Sequence, residues 1–311
     1  MIQLFLLFLL AFFQSEIMAA NELAPIKIVV AYSAGGPNSN LAYLLQKSLT
    51  QTLNVPVIVE HRPGAGGAIG TAWALNQSSE NILLVNNSAI IINTFKNPQP
   101  YSENQLVPVV SLGHSPLILI KSKKFSAQNF QDLKKWKDKN SIMYGSAGMG
   151  STVQLAMEKL NTHLKLKLTH VPYKGTHLYL NDIIAGHIDL AFVFVSPAII
   201  SHIKNGDIVP LAVESQTRLP GLENVPTFQE QGIANVGNFS WFAVFAAGKW
   251  DQTNLLKVQK TIVNVMQNPV LSAPYQEFGL TWKNKEIVPA LDFVEKQRQA
   301  IAPFIKMISL E

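Results

Sequence analysis

The chain of 311 residues contains no cysteine. That absence excludes a disulfide scaffold, thiolate zinc sites, iron–sulfur clusters, a cysteine nucleophile and a lipid anchor on a processed N-terminal cysteine. Charge is also scarce, at 14% of residues, with 25 Lys and Arg against 20 Asp and Glu. A disordered, highly charged chain is thereby excluded. The net charge of +5 is not gathered into a patch. Even Lys134-Lys135-Trp136-Lys137-Asp138-Lys139 has its charges mixed with Asp132 and Asp138 and reads as a solvated helix face, so no nucleic-acid partner is expected. Long apolar runs are missing as well, apart from Met1–Phe13 (MIQLFLLFLLAFF). What is present is a 48% share of hydrophobic residues, ample for ordinary cores. The length predicts roughly two domains or lobes.

Met1–Phe13 is too short for a membrane-spanning helix, which needs about 20 residues. Polar Gln14-Ser15-Glu16 and small Ala19-Ala20 follow it, the pattern of a cleaved secretory signal peptide over residues 1–20. The protein is therefore expected outside the cytoplasm, in the periplasm.

Strands and helices alternate through the rest of the chain. Ile26–Ala31 is a β-branched run, and Leu41, Leu44, Leu45 and Leu49 then repeat at helical spacing. Further strands are expected at Val55–Glu60, Ile82–Val85, Ile142–Gly145, Leu166–Val171, Ile188–Val195, Ile208–Val213 and Phe239–Ala246. Helices are expected at Ala127–Lys139, Ser151–Asn161, Thr176–Ala185, Pro197–Lys204, Asn254–Met266 and Ile287–Ile305. Val107–Leu112 and Pro116–Lys121 have no helix between them and read as a crossing between lobes. Such alternation predicts an α/β fold with mostly parallel sheets. Crossings near 122 and 225 give one lobe from 21–122 plus 225–311, a second from 123–224, and a hinged cleft between them. Open parallel sheets bind ligands outside the carboxyl ends of their strands, so the strand-to-helix turns are the candidate sites.

Three such turns are glycine-rich. Tyr32-Ser33-Ala34-Gly35-Gly36-Pro37 and Tyr144-Gly145-Ser146-Ala147-Gly148-Met149-Gly150-Ser151-Thr152 each precede a helix N-terminus, where backbone N–H groups favour anions. Ser146, Ser151 and Thr152 add hydroxyls, as ligand donors or as helix caps. The third, His61-Arg62-Pro63-Gly64-Ala65-Gly66-Gly67-Ala68-Ile69-Gly70, has Ile69 at the third position of a dinucleotide fingerprint and reads as a structural turn. Asn86, Asn87 and Ser88 end a strand on the same side and can offer neutral donors to the cleft.

These blocks, with His170-Val171-Pro172-Tyr173-Lys174-Gly175, Gly186-His187-Ile188-Asp189-Leu190 and Val225-Pro226-Thr227, occur in an order that resembles the Bug family. Its members are extracytoplasmic solute receptors of tripartite tricarboxylate transporters. The resemblance implies a type II periplasmic-binding-protein fold and capture of a small carboxylate between lobes. It places the ligand carboxylate at Ala34-Gly35-Gly36 and Ser146-Ala147-Gly148 with Ser151 and Thr152, and Tyr32 beside the first turn. It also implies delivery to membrane permease subunits, with presentation to a membrane sensor kinase as the alternative. A monomer without cofactor or metal is expected. The sequence departs from the family pattern at Ser39 and Val193, where acids are common, and at Tyr43. The missing acid at Val193 implies a more apolar distal pocket that suits a mono- or dicarboxylate better than an amino acid.

Two chemistries compete with binding. Tyr-Gly-Ser146-Ala-Gly is close to the G-x-S-x-G nucleophile elbow, but Tyr144 replaces the first glycine and none of His163, His170, His177, His187 and His202 stands in a convincing sheet-end loop. The seven histidines form no HExxH. Binding without catalysis is the expectation.

Overall fold

The computed structural model describes residues 23–78, 81–96, 98, 100–136, 142–233, 236, 240–281 and 290–305. The expected signal peptide at 1–20 lies outside the described residues.

β1 (Ile26–Val30) forms because an IKIVV run suits a strand covered on both faces, and Ile28, Val29 and Val30 are wholly buried. It pairs in parallel with β2 (Val57–His61) and β3 (Asn81–Asn87). β4 (Val107–His114) and β10 (Trp241–Gly248) complete a five-stranded sheet in the order β2-β1-β3-β10-β4, with β10 antiparallel to both neighbours. The second sheet repeats this plan. Its strands β5 (Leu117–Ser122), β6 (Ile142–Ser146), β7 (Leu168–Pro172), β8 (Leu190–Phe194) and β9 (Ile208–Val213) run in the order β7-β6-β8-β5-β9. Here β5 is the antiparallel strand. In each sheet the reversed strand is the one the chain enters after crossing from the other sheet.

The helices are α1 (Pro37–Leu53), α2 (Ala68–Leu75) and α3 (Ala89–Ile92) after β1, β2 and β3, then α4 (Phe130–Lys134), α5 (Thr152–Leu164), α6 (Thr176–Ala185) and α7 (Pro197–Lys204) among the second-sheet strands. α8 (Gln252–Gln267), α9 (Pro269–Gln276) and α10 (Ala290–Ile305) follow β10. α1 starts with Pro37, whose missing N–H is no loss in a first turn, and stops at Asn54 in the left-handed region. Its Leu41, Leu45 and Leu49 are fully buried. Among the described residues, no helix is long and apolar enough to cross a membrane.

Two expectations need correction. A crossing near 122 puts Pro116–Lys121 on the first-lobe side, but β5 is hydrogen-bonded into the second sheet. The chain changes sheets at Ser115-Pro116, where the Ser115 N–H donates to the Ser240 carbonyl (3.0 Å) and its Oγ to that of Phe278 (2.7 Å). β4 and β5 are both apolar, so nothing in their composition separates them. The return expected near 225 also falls later, because Val213 pairs with Thr227 and Lys134 Nζ reaches the Gln231 carbonyl at 3.0 Å. The expected helix over Ala127–Lys139 is described only as α4, started by the Asn129 side chain accepting from the Asp132 N–H. Residues 137–139, 239 and 287–289 of expected elements lie outside the described residues.

Candidate ligand-binding site

The two glycine-rich turns that precede α1 and α5 come from different sheets and meet across a cleft. Gly36 is the N-cap of α1 and no side chain caps that helix, so the N–H groups of its first turn have no intrahelical partner. Gly35 takes φ +86 and lies exposed, with Ala34, at the outer lip. On the other side Gly148 (φ +110) and Gly150 (φ +81) turn the chain into α5, whose N-cap Ser151 accepts from the Gln154 N–H at 3.4 Å.

The cavity between them is small and partly open to solvent. Tyr32, Gly36, Pro37, Asn38 and Asn87 line it from the first lobe. Ala147, Ser151, Thr152, Val153, Thr176 and Phe194 line it from the second. None of these carries a formal charge, so any preference for an anion has to come from helix ends and neutral donors. Asn38, 3% exposed, has an Oδ1 without a partner among the described residues. Burial pushes the Tyr32 phenol up, so it stays protonated and donates to the Gly66 carbonyl at 2.9 Å. Among the described residues no cluster of His, Cys, Asp or Glu is arranged to hold a metal.

Of the residues singled out in the sequence, Tyr32, Gly36, Ala147, Ser151 and Thr152 share this cavity. The others have other positions. Asn86 points away, its Nδ2 donating to Thr71 Oγ1 (2.9 Å) and its Oδ1 accepting from the Asn87 N–H (2.8 Å). Val193 is buried within β8 opposite Ile118, and its neighbour Phe194 faces the cavity. Both cases follow from strand alternation, in which successive side chains take opposite faces. Strand parity is what separates Asn87 from Asn86 on β3 and Phe194 from Val193 on β8. Thr176 was missed for another reason: it stands just after the turn from β7 to α6, a strand-to-helix turn with fewer glycines.

Ser88, Asn87 and Thr152 form a chain of hydrogen bonds across the cleft. Thr152 Oγ1 donates to Asn87 Oδ1 at 3.0 Å, which leaves Ser88 Oγ to donate to Thr152 at 2.8 Å. All three are buried. Thr152→Val keeps the side-chain shape and strands two polar partners, at a cost of about 1–3 kcal/mol. A drop of several degrees in melting temperature and weaker carboxylate binding are expected, checked by calorimetry on the purified variant.

Ser146 braces its own turn, its Oγ donating to the Gly148 carbonyl at 3.2 Å. Its Oγ lies 2.6 Å from His170 Nε2 and accepts from the Gly148 N–H at 3.1 Å, holding the turn in shape. The Ser–His pair resembles a nucleophile and base, yet Ser146 is fully buried and His170 Nδ1 faces the amide of Gln154 (3.5 Å), not an acid. Tyr144 stacks on the imidazole with centroids 4.8 Å apart, and burial lowers the pKa of His170. The geometry is that of a braced turn. Phe242 on β10 packs on Phe194 at 4.7 Å from the opposite lobe, as part of the core beneath the cavity.

Two similar α/β sheets, joined by extended crossings and closing on an uncharged cavity between helix N-termini, define a solute-binding protein of the periplasmic-binding-protein type. The chain belongs to the tripartite tricarboxylate transporter family receptors, whose family model matches residues 41–310. It is similar to a UPF0065 protein of Bordetella pertussis (strain Tohama I), 26% identical over 293 residues that span 92% of this chain and 90% of that protein. The periplasmic binding protein BugD superposes with a TM-score of 0.82 at 25% identity, covering 91% of this chain and 96% of that one. The R. palustris protein Rpa4515, solved with adipate, shares the fold with a TM-score of 0.82 at 22% identity, covering 91% and 97%.

Proposed function

We propose that this receptor captures a small carboxylate between its lobes in the periplasm and delivers it, as a monomer, to the membrane permease subunits of a tripartite tricarboxylate-type transporter. The observation that carries the reading is the cavity bounded by Gly36 at the start of α1 and by Ser151 and Thr152 at the start of α5, with no charged wall residue. Each helix end contributes about 0.3–1 kcal/mol, up to ~2 when partly buried. Charge-assisted hydrogen bonds add roughly 1.5–3 kcal/mol each. Micromolar affinity needs about 8.2 kcal/mol net, so a few such bonds and burial of the ligand body suffice. Because the donors come from both lobes, the ligand favours the closed form, which a permease recognises. We take the lobes to divide where the chain changes sheets, at 115–116 and between 233 and 241. The export signal is residues 1–20.

The cavity wall also speaks for the ligand body. Phe194, Val153 and Tyr32 offer apolar surface, and no acid is there to meet an ammonium group. A mono- or dicarboxylate with an apolar body therefore fits better than an amino acid, and adipate, the ligand of Rpa4515, is of this kind. The test is a thermal-shift and calorimetric screen of adipate, other simple carboxylates, aspartate and glutamate. A ligand at 100 times its Kd stabilises the folded form by about 2.7 kcal/mol. Stabilisation by simple carboxylates is the expected result; tight binding of aspartate or glutamate with none of these would defeat the reading.

A further inference from the structure

The third glycine-rich turn, which the sequence offered only as a structural feature, lies against the second turn from the opposite lobe. A Cβ placed on Gly66 (φ +62) would sit 2.2 Å from the Met149 carbonyl oxygen and 2.9 Å from the Ser151 nitrogen. One placed on Gly148 would sit 2.8 Å from the Gly66 nitrogen. Two backbones thus meet with no side chain between them. Lys96 bridges the same seam. Its Nζ donates to the Met149 carbonyl at 2.6 Å and reaches that of Ala65 at 3.5 Å. Burial lowers its pKa from the usual lysine value. Within the first lobe the Gly66 carbonyl is fixed by Tyr32 Oη (2.9 Å) and Asn93 Nδ2 (3.0 Å). Tyr32 is also a cavity-wall residue, so the seam and the cavity share a side chain. Beyond the other lip of the cleft, the Ser33 N–H and Oγ both donate to the Lys174 carbonyl at 3.1 Å.

We propose that the Gly64–Gly67 turn and Lys96 form a latch that grips the Met149 carbonyl and holds the cleft closed, making Gly66 and Lys96 positioning residues for ligand retention. The latch rests on the carboxylate-capture reading only for its use, since its contacts join the lobes whatever the ligand. Release of an occupant requires the Lys96–Met149 bond to break and the glycine backbones to part. Entry takes place with the seam already open. The latch therefore governs release directly, and entry only through the share of empty protein that is open.

The absence of cysteine makes a direct test clean. Cysteines introduced at exposed Thr52 and Thr162, one on each lobe, carry spin labels for pulsed distance measurement. Lys96→Met keeps the alkyl stem and removes the ammonium; Lys96→Arg is the conservative control. Lys96→Met is expected to shift the population toward longer interlobe distances. Adipate release should speed about tenfold, the on-rate rise no more than the open population does, and the melting temperature of the unliganded protein change little. Gly66→Ala should produce the same opening, and Lys96→Arg should restore the closed population. Unchanged distances and release rates in Lys96→Met, or a fall in melting temperature alone, would overturn the latch. If no protein binds adipate or any other carboxylate, the proposed function fails, while the distance measurement still decides the latch.

Discussion

Gly36→Leu is expected to weaken carboxylate binding by at least about 100-fold while leaving the folded protein intact. The backbone at Gly36 has φ −91 and ψ 173, an extended conformation open to any residue, so a side chain there brings no strain. A Cβ would meet Thr176 Oγ1 of the opposite lobe at 3.6 Å, an ordinary contact. Gly36→Ala should therefore stay near wild type. The further atoms of leucine have to fill the cavity or hold the lobes apart, and either way the ligand loses the α1 N–H groups. Losing two charge-assisted hydrogen bonds at roughly 1.5–3 kcal/mol each exceeds a hundredfold in affinity. Titration calorimetry with adipate, alongside thermal melts of all three proteins, measures both halves of the claim. Normal binding by Gly36→Leu would remove the first turn from the site.

Relative to a Glu214→Gln variant, the stability of the wild-type protein should fall as pH rises from about 4.5 toward 7. Glu214 stands where the strands cross between lobes. Its N–H donates to the Leu117 carbonyl at 2.7 Å, and its Oε2 accepts from Ser240 Oγ at 3.3 Å. Burial pushes its carboxyl up from 4.5 to about 7, outweighing the Ser240 hydrogen bond and the attraction of Lys159 on α5. A folded-state pKa above the unfolded one means that the stabilisation is complete below about 4.5 and lost as pH passes through about 7. At about 1.36 kcal/mol per unit the loss approaches 3 kcal/mol. Lys159 acts in the opposite sense at higher pH. Burial lowers its amine from 10.5 to about 8, so its cost is relieved as pH rises from about 8 toward 10.5. Chemical denaturation of both proteins at pH 5, 6, 7 and 8 checks this: a stability difference between wild type and Glu214→Gln that stays constant from pH 5 to 7 contradicts it.

Local pattern made much of the fold legible. Thr176–Ala185 and Pro197–Lys204 were readable as helices to the residue, the first from its periodicity and the Gly186 stop, the second from Pro197 at its first turn. The two anion-binding turns were legible because a strand, a glycine pair and a helix start stand in immediate succession, and family-like motifs carried the fold. Finer placement failed where the deciding contact is distant in sequence. Asn86 and Asn87 are chemically identical, and only the register of β3 against β10 turns one toward Thr71 and the other toward the cavity. The same parity separates Val193 from Phe194. β5 resembles β4 in composition, so its sheet was set by pairing and not by sequence pattern.

The sequence by itself determined that the chain lacks cysteine chemistry, alternates strands with helices, and places glycines and hydroxyls where helix ends can meet an anion. Those properties are local, fixed by side-chain type and backbone freedom over a few residues. The tertiary structure decided which turns face each other, that Thr152 reaches Asn87 and Ser88, that Gly66 rests on Met149, and that Glu214 is buried at the crossing. Each depends on residues dozens of positions apart being brought together by packing of the two lobes, and burial is a property of the assembled core that no single stretch of sequence carries.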